Sequence, residues 1–271
     1  MVEQLTVNQL VAGSSPARGA KKVNDMIKSF TVFAPQRSGT NFTEKLITEN
    51  FKDVYCHLPM NEYAWKHEPN AKKIYSNYKE YKEDLEQHLH LLVTKYIYKW
   101  VESIQRNAVD IVIRRPELLD ISYCSSHEKL KIDANMTVPV AWVVGEINLI
   151  ELVKLWNEFY NNWLKMGPKF KHWGIVKYES LLVRDLRHNF LQAIQKTYGL
   201  EKVNLTGWNL PIAVPMSPRW NKSLSIVKER DYSNLQNCYK LTQNQIDIID
   251  TLVDKELLKK LGYPTEKPIS N

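Results

Sequence analysis

The residues best suited to chemistry lie in the stretch FTVFAPQRSGTNFTEKLI, residues 30–47. An apolar run ends at a Pro, the polar loop QRSGTN (residues 36–41) follows, and the pattern then becomes amphipathic. A loop that leaves a parallel strand and enters a helix presents backbone N–H groups and the positive end of the helix dipole. Such loops bind anionic groups readily. The stretch therefore predicts an anion-binding strand–loop–helix unit.

The side chains of residues 36–41, which we call the anion loop, suit a phosphate-like group. Arg37 adds a fixed positive charge, the hydroxyls of Ser38 and Thr40 add donors, and Gly39 lets the backbone approach closely. A nucleotide kinase carries Gly-Lys-Ser/Thr here, with the hydroxyl holding Mg²⁺. The loop lacks that ending, and the sequence shows no acidic strand end to hold a metal. These residues favour a transfer without metal.

The segment APQRSGTNF resembles the 5′-phosphosulfate-binding loop of sulfotransferases that use 3′-phosphoadenosine 5′-phosphosulfate (PAPS). That loop commonly shows Pro, a variable residue, Lys or Arg, and then Ser/Thr-Gly-Thr. The resemblance implies PAPS as the donor, adenosine 3′,5′-bisphosphate as the product, and no metal. It assigns the 5′ end of the donor to these loop residues: Arg37, Ser38, Gly39, Thr40 and Asn41. Arg37 is also implied to be catalytic, because a fixed cation stabilises the charge of the transferring group and of the leaving phosphate.

A second segment, LLVTKYIYKWVESIQR (residues 91–106), resembles the part of these enzymes that binds the 3′-phosphate. The family places a basic residue at a strand end and a Ser eight residues later, and Lys95 and Ser103 match that spacing. Lys95 stands where Arg is commoner, and Ile97 stands where Pro often follows. Lys keeps the charge but lacks the bidentate fork of Arg, which weakens the expected discrimination of the 3′-phosphate.

A third segment, WKHE (residues 65–68), resembles the stretch that often carries the catalytic His of the family. His67 is the implied base, which accepts the proton of the acceptor hydroxyl, since an imidazole titrates near neutral pH. Glu62 and Glu68 are the alternative bases. A later segment, VKYESLL (residues 176–182), also resembles the family. The Gly-rich late loop of the cytosolic members has no evident counterpart, and SPRWNKSLS (residues 217–225) is the candidate for its role, with Arg219 or Lys222.

The elements that must position these residues alternate along the chain. Apolar runs predict strands at residues 30–34, 54–57, 88–96 and 173–178. Helical spacing of apolar residues predicts helices over 42–51, around 100–104, over 146–166 and over 180–197. A last helix is predicted from Thr242 to Leu261, and Thr242 and Gln245 resemble a capping box at its start. Strands separated by helices imply parallel pairing with both faces covered.

The predicted fold is therefore an α/β three-layer sandwich around a mainly parallel sheet, and the resemblance makes it P-loop NTPase-like. The aromatic residues Trp156, Tyr160 and Trp163 are expected in the core rather than in a sugar-binding platform. Tyr178 and Glu179 are expected to brace the fold near the site.

The length of 271 residues and the 44% apolar content suit a single domain, predicted over residues 29–271. Residues 1–28, which include VAGSSPARGAKK, show no apolar periodicity. We expect them to be a disordered or non-native extension, with Met26 as a candidate start of translation. N-terminal sequencing of the native protein tests this start.

The composition also limits the partners. A formal charge of +7 suits an anionic ligand, but the sequence contains neither a dense Lys/Arg block nor a nucleic-acid-reading motif. Three widely spaced Cys match neither a metal site nor a disulfide framework, which favours a reducing compartment. The apolar runs are too short to span a bilayer and no secretory signal is evident, so a cytoplasmic protein is expected.

The acceptor is expected to be a small molecule, a carbohydrate or a lipid that offers a hydroxyl or an amine. Its pocket is predicted to come from residues 57–80, 108–140 and 205–235, which carry no motif that selects among these acceptors. Two other functions stay open: a P-loop nucleotide or small-molecule kinase, and a degenerate member of the fold that binds an anion or a protein without turnover. Mg²⁺-dependent binding of ATP distinguishes the first, and binding without turnover the second.

Overall fold

The structure, a computed structural model, describes residues 27–56, 66–80, 85–105, 149–210, 213–215, 224–226, 237–238 and 241–270. The chain divides into a first unit, residues 1–95 with 159–234, and a second unit, residues 96–158 with 235–271. The single domain over 29–271 stays a prediction, and each unit is described by itself. The predicted extension up to Met26, Glu62, Arg219, Lys222 and the predicted acceptor loop 108–140 lie outside the described residues.

The strands and helices follow the predicted alternation. The described strands are β1 (Ser29–Phe33), β2 (Tyr55–Cys56), β3 (His88–Thr94), β4 (His172–Lys177), β5 (Ala213–Pro215), β6 (Leu224–Ile226), β7 (Asn237–Cys238) and β8 (Ile269–Ser270). The described helices are α1 (Thr40–Thr48), α2 (Ala71–Glu80), α3 (Ile97–Gln105), α4 (Leu149–Met166), α5 (Tyr178–Leu182), α6 (Arg184–Tyr198), α7 (Gln243–Leu252) and α8 (Lys255–Lys260).

A parallel sheet of four strands forms the centre of the first unit, in the order β2-β1-β3-β4. Phe30 of β1 pairs with Leu89 of β3, and Leu91 of β3 pairs with Gly174 of β4. Every residue of β1 and β3 is buried, as expected for strands covered on both faces. The predicted α/β class with a central parallel sheet is confirmed.

One face of this sheet packs against α1, α5 and α6. The apolar side chains of this layer include Phe30, Val32, Leu89, Leu91 and Val93 from the strands, with Phe42, Leu46, Ile47, Leu181, Leu182, Phe190, Leu191 and Ile194 from the helices. Ile27 also lies in this core, and the backbone of Lys28 bonds to Gln87 and Tyr55, although the sequence analysis placed residues 1–28 outside the fold. The fold therefore includes these two residues.

The opposite face of the sheet is covered by stacked aromatic rings. Trp163 of α4 stacks on Phe33 with 4.2 Å between the ring centroids, and its indole N–H donates to the carbonyl oxygen of Glu68 at 2.9 Å. Phe170 stacks on His90 at 4.0 Å. Tyr160 and Trp163 are fully buried in the first unit, and Trp156 is fully buried in the second. The prediction that these three rings belong to the core is confirmed.

His90 is a fully buried titratable residue on this aromatic face of the sheet. Burial lowers its pKa well below the usual value, and the neighbouring His88 lowers the pKa further. The folded protein therefore holds His90 neutral, whereas the unfolded chain binds a proton below about pH 6.5. Because the unfolded state then binds more protons, the stabilisation is present above this pH and is lost as the pH falls.

We expect the free energy of unfolding to fall by up to about 1.4 kcal/mol per pH unit below pH 6.5 through His90 alone. Urea denaturation of the wild type and of His90→Gln between pH 7 and pH 5 measures this slope, and the variant should show the smaller one. His188→Gln, on α6, is the matched control for the loss of one imidazole. Equal slopes for the wild type and His90→Gln would contradict the prediction.

The predicted helix over residues 180–197 is divided at Val183. Val183 adopts an extended conformation (φ −95°, ψ 126°) that ends α5 and precedes α6. The guanidinium of Arg187, which is buried, donates to the carbonyl oxygen of Leu181 at 3.2 Å and so satisfies a carbonyl near the end of α5. The prediction of one continuous helix was wrong, because the spacing of apolar residues does not reveal that the Arg187 side chain bonds a carbonyl oxygen at the end of α5.

In the second unit, the capping box of Thr242 and Gln245 is present at the start of α7, as predicted. The helix expected to continue to Leu261 is instead broken at Val253 and Asp254, both extended. Asn157 donates to the carbonyl oxygen of Leu252 at 2.9 Å and accepts from the N–H of Asp254 at 3.1 Å, while the Asp254 carboxylate caps α8. These bonds replace those of a continuous helix.

Among the helices in the described ranges, none combines the length and the apolar character that a membrane crossing requires.

Candidate anion-binding site

The anion loop leaves the carboxyl end of β1, and Lys95 follows the carboxyl end of β3. The chain passes from β1 to β2 on one side and later returns to β3 on the other side of β1. In open parallel sheets, ligands bind outside the carboxyl ends of the strands at the point where the strand order reverses. The topology therefore brings Arg37 and Lys95 to the position in this sheet where a ligand site is most expected.

The anion loop is a tight turn that runs directly into α1. The N–H of Ser38 donates to the carbonyl oxygen of Pro35 at 3.3 Å, and the N–H and the hydroxyl of Thr43 both donate to the carbonyl oxygen of Gly39 at 3.0 Å. Gly39 is the N-cap residue and provides no side-chain cap. Because the first turn of a helix has N–H groups without intrahelical acceptors, α1 begins as an anion site requires.

Two residues of the anion loop have left-handed backbone conformations, Arg37 with φ 66° and Gly39 with φ 90°. The ring of Tyr178 lies directly over Gly39, since a Cβ at position 39 would be only 2.1 Å from the ring Cδ2 atom. Position 39 is therefore restricted to Gly twice, by its φ and by the space available. Tyr178, which was expected only to brace the fold, sets the shape of the loop.

Gly39→Ala is expected to deform the anion loop. The methyl group collides with Tyr178 and the backbone conformation itself costs about 1 kcal/mol or more for a residue with a Cβ. The double variant Gly39→Ala with Tyr178→Ala relieves the collision and leaves the φ strain. Titration calorimetry with adenosine 3′,5′-bisphosphate should show that the single variant loses affinity and that the double variant regains part of the loss. A single variant with wild-type affinity would contradict this assignment of the loop.

The side chain of Lys95 lies against the anion loop. Its ammonium donates to the carbonyl oxygen of Arg37 at 2.9 Å and lies 5.0 Å from the centroid of the Tyr178 ring, a cation–π distance. Lys95 is only 7% exposed. The ammonium of Lys95, the residue that follows β3, thus lies at the anion loop that follows β1.

Tyr160 fixes the backbone at this point. Its hydroxyl donates to the carbonyl oxygen of Val93 and accepts from the N–H of Lys95, both at 3.2 Å. Burial raises the pKa of the phenol. Tyr160 therefore fixes the end of β3 at the point where Lys95 follows it. Helical spacing identified it as a core residue, but its two bonds to the backbone around the end of β3 depend on partners distant in sequence.

His67 lies beside the start of the anion loop. Its Nδ1 is 2.7 Å from the carbonyl oxygen of Ala34, and the N–H of Ala34 donates to the carbonyl oxygen of Lys66 at 3.1 Å. A carbonyl oxygen only accepts hydrogen bonds, so Nδ1 carries the proton and the lone pair of the neutral ring is on Nε2. The ring is half-buried. The structure thus brings the predicted base to the residue that precedes Pro35 and the loop.

Lys66 anchors this segment to α1. Its ammonium donates to the side-chain oxygen of Asn41 at 2.6 Å and pairs with Glu44 at 3.2 Å. Asn41, which the resemblance assigned to the donor, therefore also holds the segment that carries His67. The Glu68 carboxylate accepts from the N–H of Asn70 at 3.0 Å and lies 3.6 Å from the Lys73 ammonium. This carboxylate interacts with the start of α2, which makes Glu68 a weaker candidate for the base.

The other predicted residues are placed as follows. Ser38 and Thr40 are buried, and Arg37 and Gly39 are half-buried, all in the first unit. Ser103 is half-buried on α3, in the second unit. The structure therefore brings together the anion loop, Lys95 and His67, and it describes Ser103 within a separate unit.

A pair of charged residues follows the carboxyl end of β4. Glu179 is 4% exposed, and burial lowers the pKa of the half-buried Lys177 while the nearby Glu179 carboxylate raises that pKa. Glu179 also raises the pKa of Tyr160. The carboxyl ends of β1, β3 and β4 consequently all contribute polar groups around the anion loop.

Within the described ranges, no group of three His, Cys, Asp or Glu side chains is arranged to hold a metal ion. The anion loop and Lys95 together supply a guanidinium, an ammonium, hydroxyls and the N–H groups that begin α1, a set that suits an anion. No protein-family model, curated protein or solved structure matches this chain. The geometry of the site must therefore support any proposal about its function.

Proposed function

We propose that this protein is a sulfotransferase that moves a sulfuryl group from PAPS to a hydroxyl or an amine of an acceptor, without metal. The observation that carries the proposal is the meeting of a cationic anion loop with a histidine whose proton-accepting nitrogen is defined. Arg37, Ser38 and Gly39 lie in the loop, and Nδ1 of His67 is bonded to the carbonyl oxygen of Ala34, which is separated from the loop only by Pro35. An anion site next to a base is what transfer of an anionic group to a hydroxyl requires.

The residues present fit the donor. The anion loop and the start of α1 would bind its 5′-phosphosulfate end, with Arg37 and the backbone N–H groups opposing the negative charge. Position 39 accepts only Gly, because a Cβ there would fill space that the Tyr178 ring already occupies, and Gly39 thereby preserves the shape of the turn. The resemblance assigns the 3′-phosphate to Lys95 and Ser103.

The transfer itself leaves little covalent work for the protein. The acceptor oxygen forms a bond to sulfur, the bond between sulfur and the bridging oxygen of the donor breaks, and the electron pair of that bond leaves on the 5′-phosphate. Nε2 of His67 accepts the proton of the acceptor hydroxyl, because Nδ1 already donates to Ala34. Arg37 stabilises the charge that develops on the leaving phosphate, as cations do in phosphoryl transfer.

Calorimetric titration with adenosine 3′,5′-bisphosphate, and separately with ATP and Mg²⁺, tests the proposal. We expect the bisphosphate to bind and to compete with PAPS. Tight binding of ATP with Mg²⁺ and none of the bisphosphate would overturn the proposal in favour of a nucleotide kinase. A third outcome is that the protein binds the bisphosphate but does not produce it from PAPS with any of the phenol, sugar, lipid and amine acceptors. That outcome would identify a binding protein that has lost turnover.

A further inference from the structure

We propose that Lys95 binds the 5′ end of the donor, together with the anion loop, rather than the 3′-phosphate. This inference rests on the proposed function, since it assigns a role within the same donor site. It departs from the role that the resemblance gives to Lys95. Its starting point is the bond of 2.9 Å between the Lys95 ammonium and the carbonyl oxygen of Arg37, the residue that supplies the positive side chain of the loop.

The side chain of Lys95 is held at the anion loop from several directions. Its ammonium lies over the ring of Tyr178, and the same ring packs on Gly39. Its backbone N–H donates to the hydroxyl of the buried Tyr160 at 3.2 Å. Since Lys95 is 7% exposed, redirecting the ammonium to a distant phosphate would break these contacts. The contacts therefore favour an anion that already lies in the loop.

The chemistry of Lys suits this position. An ammonium is a compact charge with three donor hydrogens, so a bond to the Arg37 carbonyl is compatible with a further bond to an anion in the loop. Kinase loops carry such a Lys in their own Gly-Lys-Ser/Thr sequence, where it acts as a point charge on phosphate. The anion loop lacks that Lys, and Lys95 supplies the ammonium from the end of the neighbouring strand β3.

The inference predicts which phosphate of the nucleotide Lys95 binds. Three probes separate the two ends of the nucleotide: adenosine 3′,5′-bisphosphate, adenosine 5′-monophosphate and adenosine 3′-monophosphate. We expect Lys95→Met to weaken binding of the bisphosphate and of the 5′-monophosphate by the same factor, about 10- to 100-fold, as for a lost bond to a charged group. Binding of the 3′-monophosphate should not change. Calorimetry measures all three affinities.

Lys171→Met is the matched control. Lys171 precedes β4 and pairs with Glu86 before β3, so it lies at the amino edge of the sheet, opposite to Lys95. Removing its charge should leave all three affinities unchanged. Lys95→Arg is a second variant that keeps the charge if Lys95→Met fails to fold by circular dichroism. The Lys95→Arg protein should bind the 5′-monophosphate within a few fold of the wild-type affinity and should gain no affinity for the 3′-monophosphate.

The inference is overturned if Lys95→Met weakens binding of the bisphosphate and the 3′-monophosphate but spares the 5′-monophosphate. It is equally overturned if Lys95→Arg tightens the 3′-monophosphate alone. In both cases the proposed sulfotransferase function survives. If the wild type binds only ATP with Mg²⁺, the proposed function fails. The affinity of Lys95→Met for ATP then decides the inference about Lys95. A loss of affinity supports the inference, and an unchanged affinity overturns it.

Discussion

Arg37→Ala is expected to lower the rate of sulfuryl transfer by about 10²- to 10³-fold, the loss typical when one preorganised group that stabilises a developing charge is removed. The effect should be large because the backbone of Arg37 is held within the turn, with φ 66° and a bond from Lys95 to its carbonyl oxygen. Donor affinity should also fall, since the guanidinium contacts the same anion in the ground state. Release of adenosine 3′,5′-bisphosphate from PAPS measures the rate, and calorimetry measures the affinity.

Two further variants separate charge from geometry in this prediction. Arg37→Lys keeps the charge but lacks the planar fork, and should recover part of the rate. Arg184→Ala removes an exposed Arg at the first position of α6 and should leave rate and affinity unchanged. An Arg37→Ala protein with at least a third of the wild-type rate would show that the anion loop does not contact the reacting group.

His67→Ala is expected to slow turnover by about 10²- to 10⁴-fold, the usual contribution of a general base. Binding of adenosine 3′,5′-bisphosphate should stay unchanged, because the base acts on the acceptor and not on the donor. This split between rate and donor affinity distinguishes His67 from Arg37. In the proposed mechanism Nε2 is the nitrogen that accepts the proton, since Nδ1 donates to the carbonyl oxygen of Ala34.

His67→Asn sharpens this test. The Asn side-chain nitrogen lies in the position of Nδ1 and keeps a donor for the Ala34 carbonyl oxygen, whereas the proton-accepting nitrogen is gone. If His67 only braces the loop, Asn should restore activity; if His67 is the base, Asn should be as slow as Ala. His188→Ala on α6 serves as the control for the loss of an imidazole. Full activity in both variants at position 67 would move the base to another residue.

The sequence predicted the parts of the site that depend on local pattern. The apolar runs at residues 30–34 and 88–96 correspond to β1 and β3, and parallel pairing brought the anion loop and Lys95 to one edge of the sheet. What could not be predicted depends on partners distant in sequence. The bond between Lys95 and Arg37 and the bonds of Tyr160 to the backbone of Val93 and Lys95 leave no periodic signal, because spacing reports burial and not which polar atoms meet.

The helix boundaries show the same limit. The capping box at Thr242 is a local signature and was predicted, whereas the break at Val253 and Asp254 depends on Asn157, which lies 97 positions before Asp254. The break at Val183 likewise depends on a bond that the buried Arg187 makes backward along the chain to Leu181. A side chain that satisfies backbone groups can end a helix whose apolar spacing continues.

The pair of hydrogen bonds at the Ala34 backbone has a thermodynamic consequence. Its N–H and its carbonyl oxygen are bonded to Lys66 and His67, and the turn into the anion loop begins at the next residue. Under the proposed function, we expect a donor that orders the loop also to order the segment that carries His67. Energetic coupling between two ligands is reciprocal, so a donor that favours acceptor binding is itself bound more tightly by the same factor when the acceptor is present. In the proposed sulfotransferase reaction, we therefore expect donor binding and acceptor binding to be coupled through the backbone of Ala34.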